Sequence, residues 1–126
     1  MKPTLISKLL VFVAVCSLSQ LAAADTESAA KTIAGILANM NHFASDADKA
    51  TLMAISADEE NGMGVRLVAT AVHNIQHAAT AEDKETMAGV ATNDRARESV
   101  KTLAGIVAEF NHMASAEAKA TLQGLQ

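Results

Sequence analysis

The chain has 126 residues, half of them apolar, with 10 basic against 14 acidic side chains and a formal net charge of −4. Aromatics make up 2% with no Trp or Tyr, so there are no stacking platforms for bases or sugars, and the acidic balance argues against nucleic acid as a partner. A chain rich in Ala, with a single Pro, favours helix over sheet, and the expected fold is all-α.

The first two dozen residues read as an address. Lys2 and Lys8 precede an almost wholly apolar run from Leu9 to Leu18, and Ala22, Ala23 and Ala24 supply the small residues of a signal-peptidase site. The run is far shorter than the roughly 20 apolar residues of a permanent membrane span. Residues 1–24 are therefore expected to be a cleaved signal peptide, and 25–126 the mature domain, periplasmic or secreted. A lipidated Cys16 is the rival, but Val15 before it is larger than a lipoprotein signal wants. From Asp25 onward there is no Cys, so no disulfide, thiolate metal site or Cys nucleophile is available. Loss of Lys2 and Lys8 takes the formal charge from −4 to −6.

The mature part repeats itself. Ala34 to Ile55 returns as Ala104 to Leu125, and Ala69 to Val90 fits midway between them. His42, His77 and His112 fall in register, as do Lys49, Lys84 and Lys119, and Thr51, Thr86 and Thr121, each 35 residues apart. A period of this length marks stacked units that cannot bury their apolar faces alone. The expectation is three tandem αα-hairpin units, approximately 25–58, 59–93 and 94–126, forming a compact helical bundle or a short solenoid. The period is near that of tetratricopeptide units, but their aromatic positions and closing proline are missing, so no peptide-binding role is carried over.

Within the first unit Ile33, Ile36, Leu37, Met40 and Ala44 keep to one helical face. Val68, Ala71, Val72, Ile75 and Ala79 repeat the stripe, as do Leu103, Ile106, Val107, Phe110 and Ala114. These stripes predict core. Ser45, Thr80 and Ser115 then stand where a second helix starts, with Asp48, Asp83 and Glu117 in its first turn. Leu52 and Ile55, Met87 and Val90, and Leu122 and Leu125 give that helix an apolar edge, expected to pack back on the first. Polar stretches carrying Asn61-Gly62 and Asn93-Asp94 read as the turns between units.

All four histidines belong to this pattern, with His73 one turn before His77 on the expected helix. An i, i+4 pair can chelate Zn, Cu or Ni, but two ligands make a weak site. A stronger one needs His42 or His112, or a carboxylate, brought from a neighbouring unit. In an open array His42 and His112 are too far apart to share an ion. The competing reading is structural: Asn41-His42, Gln76-His77 and Asn111-His112 close the first helix of each unit, with Asn tolerating the left-handed position and His meeting the last carbonyls.

No Ser sits in a nucleophile elbow, no Gly-rich loop cradles phosphate and no HExxH segment exists, so no enzyme is expected. Asp58-Glu59-Glu60 reads as a solvated turn, the three in-register lysines as surface charges, and the mature methionines as core filler. Two functions remain. The first is an exported module whose helical faces bind another protein; the second is a metal-binding or metal-buffering protein using His73 and His77 with His42 or His112. An amphipathic helix lying on lipid is disfavoured by the missing basic face.

Overall fold

A computed structural model describes residues 26–126, so the expected signal peptide lies outside the described residues. The described part is all-α, with no strand beyond isolated bridges. Its helices are α1 (26–39), α2 (Asp46–Ala57), α3 (Met63–Asn74), α4 (Ala81–Ala91), α5 (Glu98–Glu109) and α6 (Ala116–Leu125). No helix among the described residues is long and apolar enough to cross a membrane.

Three helices start as the sequence predicts. The hydroxyls of Ser45, Thr80 and Ser115 accept from the backbone N–H of Asp48, Asp83 and Ala118, at 3.0 to 3.1 Å. Each thereby satisfies one of the donors a helix leaves open at its first turn. α3 and α5 begin on Gly62 and Arg97 without such a side-chain cap. Gly62 N–H instead donates across to the hydroxyl of Thr26 in α1, at 3.0 Å.

The apolar stripes of α1, α3 and α5 form the core, and they do so in register. Ala30, Val65 and Val100 are buried, then Ile33, Val68 and Leu103, then Leu37, Val72 and Val107, then Met40, Ile75 and Phe110. Between the second and third of these layers, Ala34, Ala69 and Ala104 are all fully buried. Small side chains there permit close backbone approach, which suits a core almost without aromatics. Each fully buried Leu, Ile or Val adds about 1.5–3 kcal/mol relative to exposure. The N-terminal ends of the three helices converge: besides Thr26 with Gly62, Glu27 of α1 accepts from Arg97, the residue before α5, and from Ser99 in its first turn, at 3.3 and 3.1 Å. The segments after their C-terminal ends also meet, so α1, α3 and α5 run in the same direction.

One outer helix differs from expectation. α4 packs mainly on α5 with a smaller contact to α3, rather than folding back chiefly on the helix before it, and α2 packs against α3. A helix with a single apolar edge buries more by lying in the groove between two inner helices than on one of them. Leu52, Met87 and Leu122 are accordingly fully buried, while Ile55 and Leu125 are half-buried.

Candidate metal centre

α1, α3 and α5 all end three residues before a histidine. In α3 and α5 the last turn tightens, with Ile75 N–H donating to Val72 O and Phe110 N–H to Val107 O, both at 3.2 Å. The chain then reverses through Asn41-His42-Phe43, Gln76-His77-Ala78 and Asn111-His112-Met113. Phe43 N–H donates to Asn41 O and Met113 N–H to Asn111 O, at 2.8 and 2.7 Å, which makes His42 and His112 the centres of γ-turns. His42, His77 and His112 have φ of 69°, 71° and 67°, and they are the non-glycine residues with positive φ among the described residues. The left-handed region costs a non-glycine residue on the order of 1–3 kcal/mol, and glycine far less.

These strained turns interlock. His77 N–H donates to His42 O at 2.7 Å, His112 N–H to His77 O, and His42 N–H to His112 O, closing a ring of three backbone hydrogen bonds. His42 and His112 therefore touch directly, a contact that an open array of these segments would forbid. The helix-capping reading also shifts, because the left-handed residue is the histidine and not the Asn or Gln before it.

The ring of backbone bonds brings the three imidazoles together. Ring centroids lie 5.0 Å apart for His42 and His77, and 5.1 Å apart for His42 and His112 and for His77 and His112. One possible ligand atom from each lies within 4.8 Å of the other two. An ion centred in an equilateral triangle of that side sits about 2.8 Å from each corner, so inward movement of about 0.7 Å per ring reaches the 2.0–2.1 Å of a Zn–imidazole bond. Such shifts lie within side-chain rotation. His42 is half-buried and His77 and His112 are exposed, so an ion here keeps access to solvent and an open coordination position.

One imidazole is already oriented. The side-chain oxygen of Asn111 lies 2.7 Å from His112 Nδ1. An amide oxygen only accepts, so the proton sits on Nδ1 and the Nε2 lone pair is left for a ligand. Asn111 was visible in the sequence as one of three in-register amides preceding histidines, although there it read as part of a cap.

His73 stands apart. It lies in the last turn of α3, with Nδ1 3.3 Å from the side-chain oxygen of Asn74, and outside the three-histidine group. The expected His73–His77 helical pair is not formed, because α3 ends at Asn74 and His77 lies beyond it. Around the histidines, Phe43 and Met113 are about half exposed (54% and 46%), and the Lys49 ammonium lies 5.8 Å from the Phe43 ring centre. No protein-family model matches the chain, no curated protein matches it in sequence, and no solved structure matches it.

Proposed function

We propose that this is an exported metal-binding protein: three tandem 35-residue helical units close on one another so that His42, His77 and His112, one from each unit, hold a single late transition ion such as Zn, Cu or Ni. The observation carrying this reading is the gathering of one ring nitrogen from each histidine within 4.8 Å. Backbone strain supports it. Glycine is the least costly residue at a left-handed position, yet histidine occupies all three. Imidazole nitrogens with water or an outside ligand at a further position suit these metals, whereas Mg and Ca prefer oxygen.

Export and the repeat belong to the same proposal, since outside the cytoplasm a Cys-free site avoids thiol oxidation. The test is native mass spectrometry of the chain purified from the export compartment without chelators. One ion per chain, removed by dialysis against chelator and restored by added Zn, is the expected result. A metal-free chain that takes up no Zn, Cu or Ni at neutral pH sinks the reading.

A protein-interaction module remains the second reading, favoured by the exposed Phe43 and Met113 flanking the same end. Its test is capture with Phe43→Ser as control. A partner recovered by the native chain and lost in the variant supports it, and identical recovery by both rejects it.

A further inference from the structure

The first and middle units carry the same groove, and the two have diverged in one direction. The smaller, of about 280 Å³, lies between α1 and α2; the larger, of about 610 Å³, lies between α3 and α4 and extends to the start of α5. Every residue lining the first has its counterpart 35 positions later lining the second. The frame is shared, so the difference lies in the side chains.

Room increases first. Ala29 and Ala54 become Gly64 and Gly89; a Cβ on Gly64 would come within 3.1 Å of Val100, so the added space is at Gly89. A methyl group on Gly89 would meet nothing within 4 Å, and no glycine of the described chain has positive φ, so neither crowding nor backbone shape demands glycine there. A glycine inside a helix lowers its stability. Polarity falls at the same time, as Ser28 becomes Met63 and Thr32 becomes Leu67. In the third unit Gly124 repeats the gap, but Glu98 and Thr102 keep the other two positions polar.

The rim gains positive charge. Asp58 becomes the neutral Asn93, and Arg95 and Arg97 line the larger groove together with Glu60. Arg97 already grips a carboxylate, that of Glu27, at 3.3 Å, with both side chains partly exposed. The Arg95 guanidinium is exposed and makes no hydrogen bond or ion pair among the described residues, whereas Glu60, also on the rim, is already engaged.

We propose that the groove between α3 and α4 binds a small amphipathic carboxylate, its aliphatic or aromatic body lying over Gly64 and Gly89 and its carboxylate meeting Arg95. The volume falls within the roughly 300–1,000 Å³ typical of small-molecule sites. A guanidinium fork suits a carboxylate better than a neutral head group. This site is separate from the three histidines and does not depend on them.

The probe is sodium decanoate, titrated below its micelle-forming concentration into the ¹⁵N-labelled chain, with decanol as the neutral control. The expected result is saturable one-to-one binding with amide shifts at Gly64, Gly89 and Arg95. Gly89→Leu fills the groove from a position with open space, so it should weaken decanoate at least about tenfold while leaving the melting temperature equal or higher. Arg95→Glu should weaken decanoate about tenfold and leave decanol unchanged. Non-saturable binding, or a folded Gly89→Leu chain that binds decanoate as the native one does, overturns the proposal. Decanol binding as tightly as decanoate overturns its choice of a carboxylate.

Discussion

At one end α1, α3 and α5 are alike, and at the other they are not. The C-terminal end offers His42, His77 and His112 with nearly the same φ and the same backbone bond to the next histidine. The N-terminal end offers Glu27, Gly62 and Arg97 at equivalent positions: one carboxylate, no side chain and one guanidinium. There Thr26 accepts from Gly62 while Glu27 binds Arg97 and Ser99, so no two junctions match. Groups that act on one point must stay equivalent, whereas groups meeting only a neighbour can diverge once their contact is replaced by another. The histidine end behaves like the first kind, and the groove beside α3 and α4 shows what the second kind makes possible.

The sharpest way to break this contrast is to remove one equivalent histidine. His77→Ala is expected to weaken Zn, Cu or Ni binding by more than about 100-fold, beyond the 10–100-fold typical of losing an outer partner. His73→Ala should leave affinity within about twofold, because its ring lies outside the group. Equal losses in both variants, read by calorimetric titration, would restore the helical pair and remove the three-unit site. Next in size is Asn111→Leu, which frees the His112 ring; a drop of about 10–100-fold is expected, with the melting temperature little changed.

A smaller effect has the opposite sign. Glycine relieves the left-handed strain, so His112→Gly without metal should be as stable as the native chain or about 1 kcal/mol more so in urea unfolding, while losing metal affinity. Destabilisation beyond about 1.5 kcal/mol would mean that the packed rings hold the fold rather than await a ligand. The smallest effect belongs to the divergent end. Arg97→Ala should cost at most about 1 kcal/mol, since its ion pair with Glu27 is partly exposed, and should leave metal binding untouched.

Acid should also separate the two ends. Protons compete with a metal ion for any imidazole nitrogen, so metal affinity at the histidine end falls as pH drops, read by calorimetric titration, while the groove beside α3 and α4 is unaffected by that competition.

Much of the helical content was legible because it rests on local chemistry. The hydroxyls of Ser45, Thr80 and Ser115 cap in the structure as their positions in the sequence imply, and the stripes led by Ile33, Val68 and Leu103 are buried. Ile106 is the exception in its stripe, packed against the core yet only partly buried. What was not legible depends on contacts distant in sequence. A helical wheel keeps winding past Asn39 and Asn74, and so placed His42 and His77 on helix faces. It carries no information on a sign change in φ. The preference of α4 for α5 over α3 likewise follows from where a groove lies between inner helices, which no single stripe reveals. The in-register histidines are the ones the structure gathers, but only ring closure through the His42–His112 bond makes them neighbours.

X-ray absorption on the Zn-loaded chain tests the three-histidine centre most directly, because it counts imidazoles around the ion. The account predicts three imidazole nitrogens at about 2.0–2.1 Å plus a lighter non-histidine ligand, falling to two or to no bound ion in His77→Ala. A shell with one imidazole or none, or a spectrum that His77→Ala leaves unchanged, would contradict it.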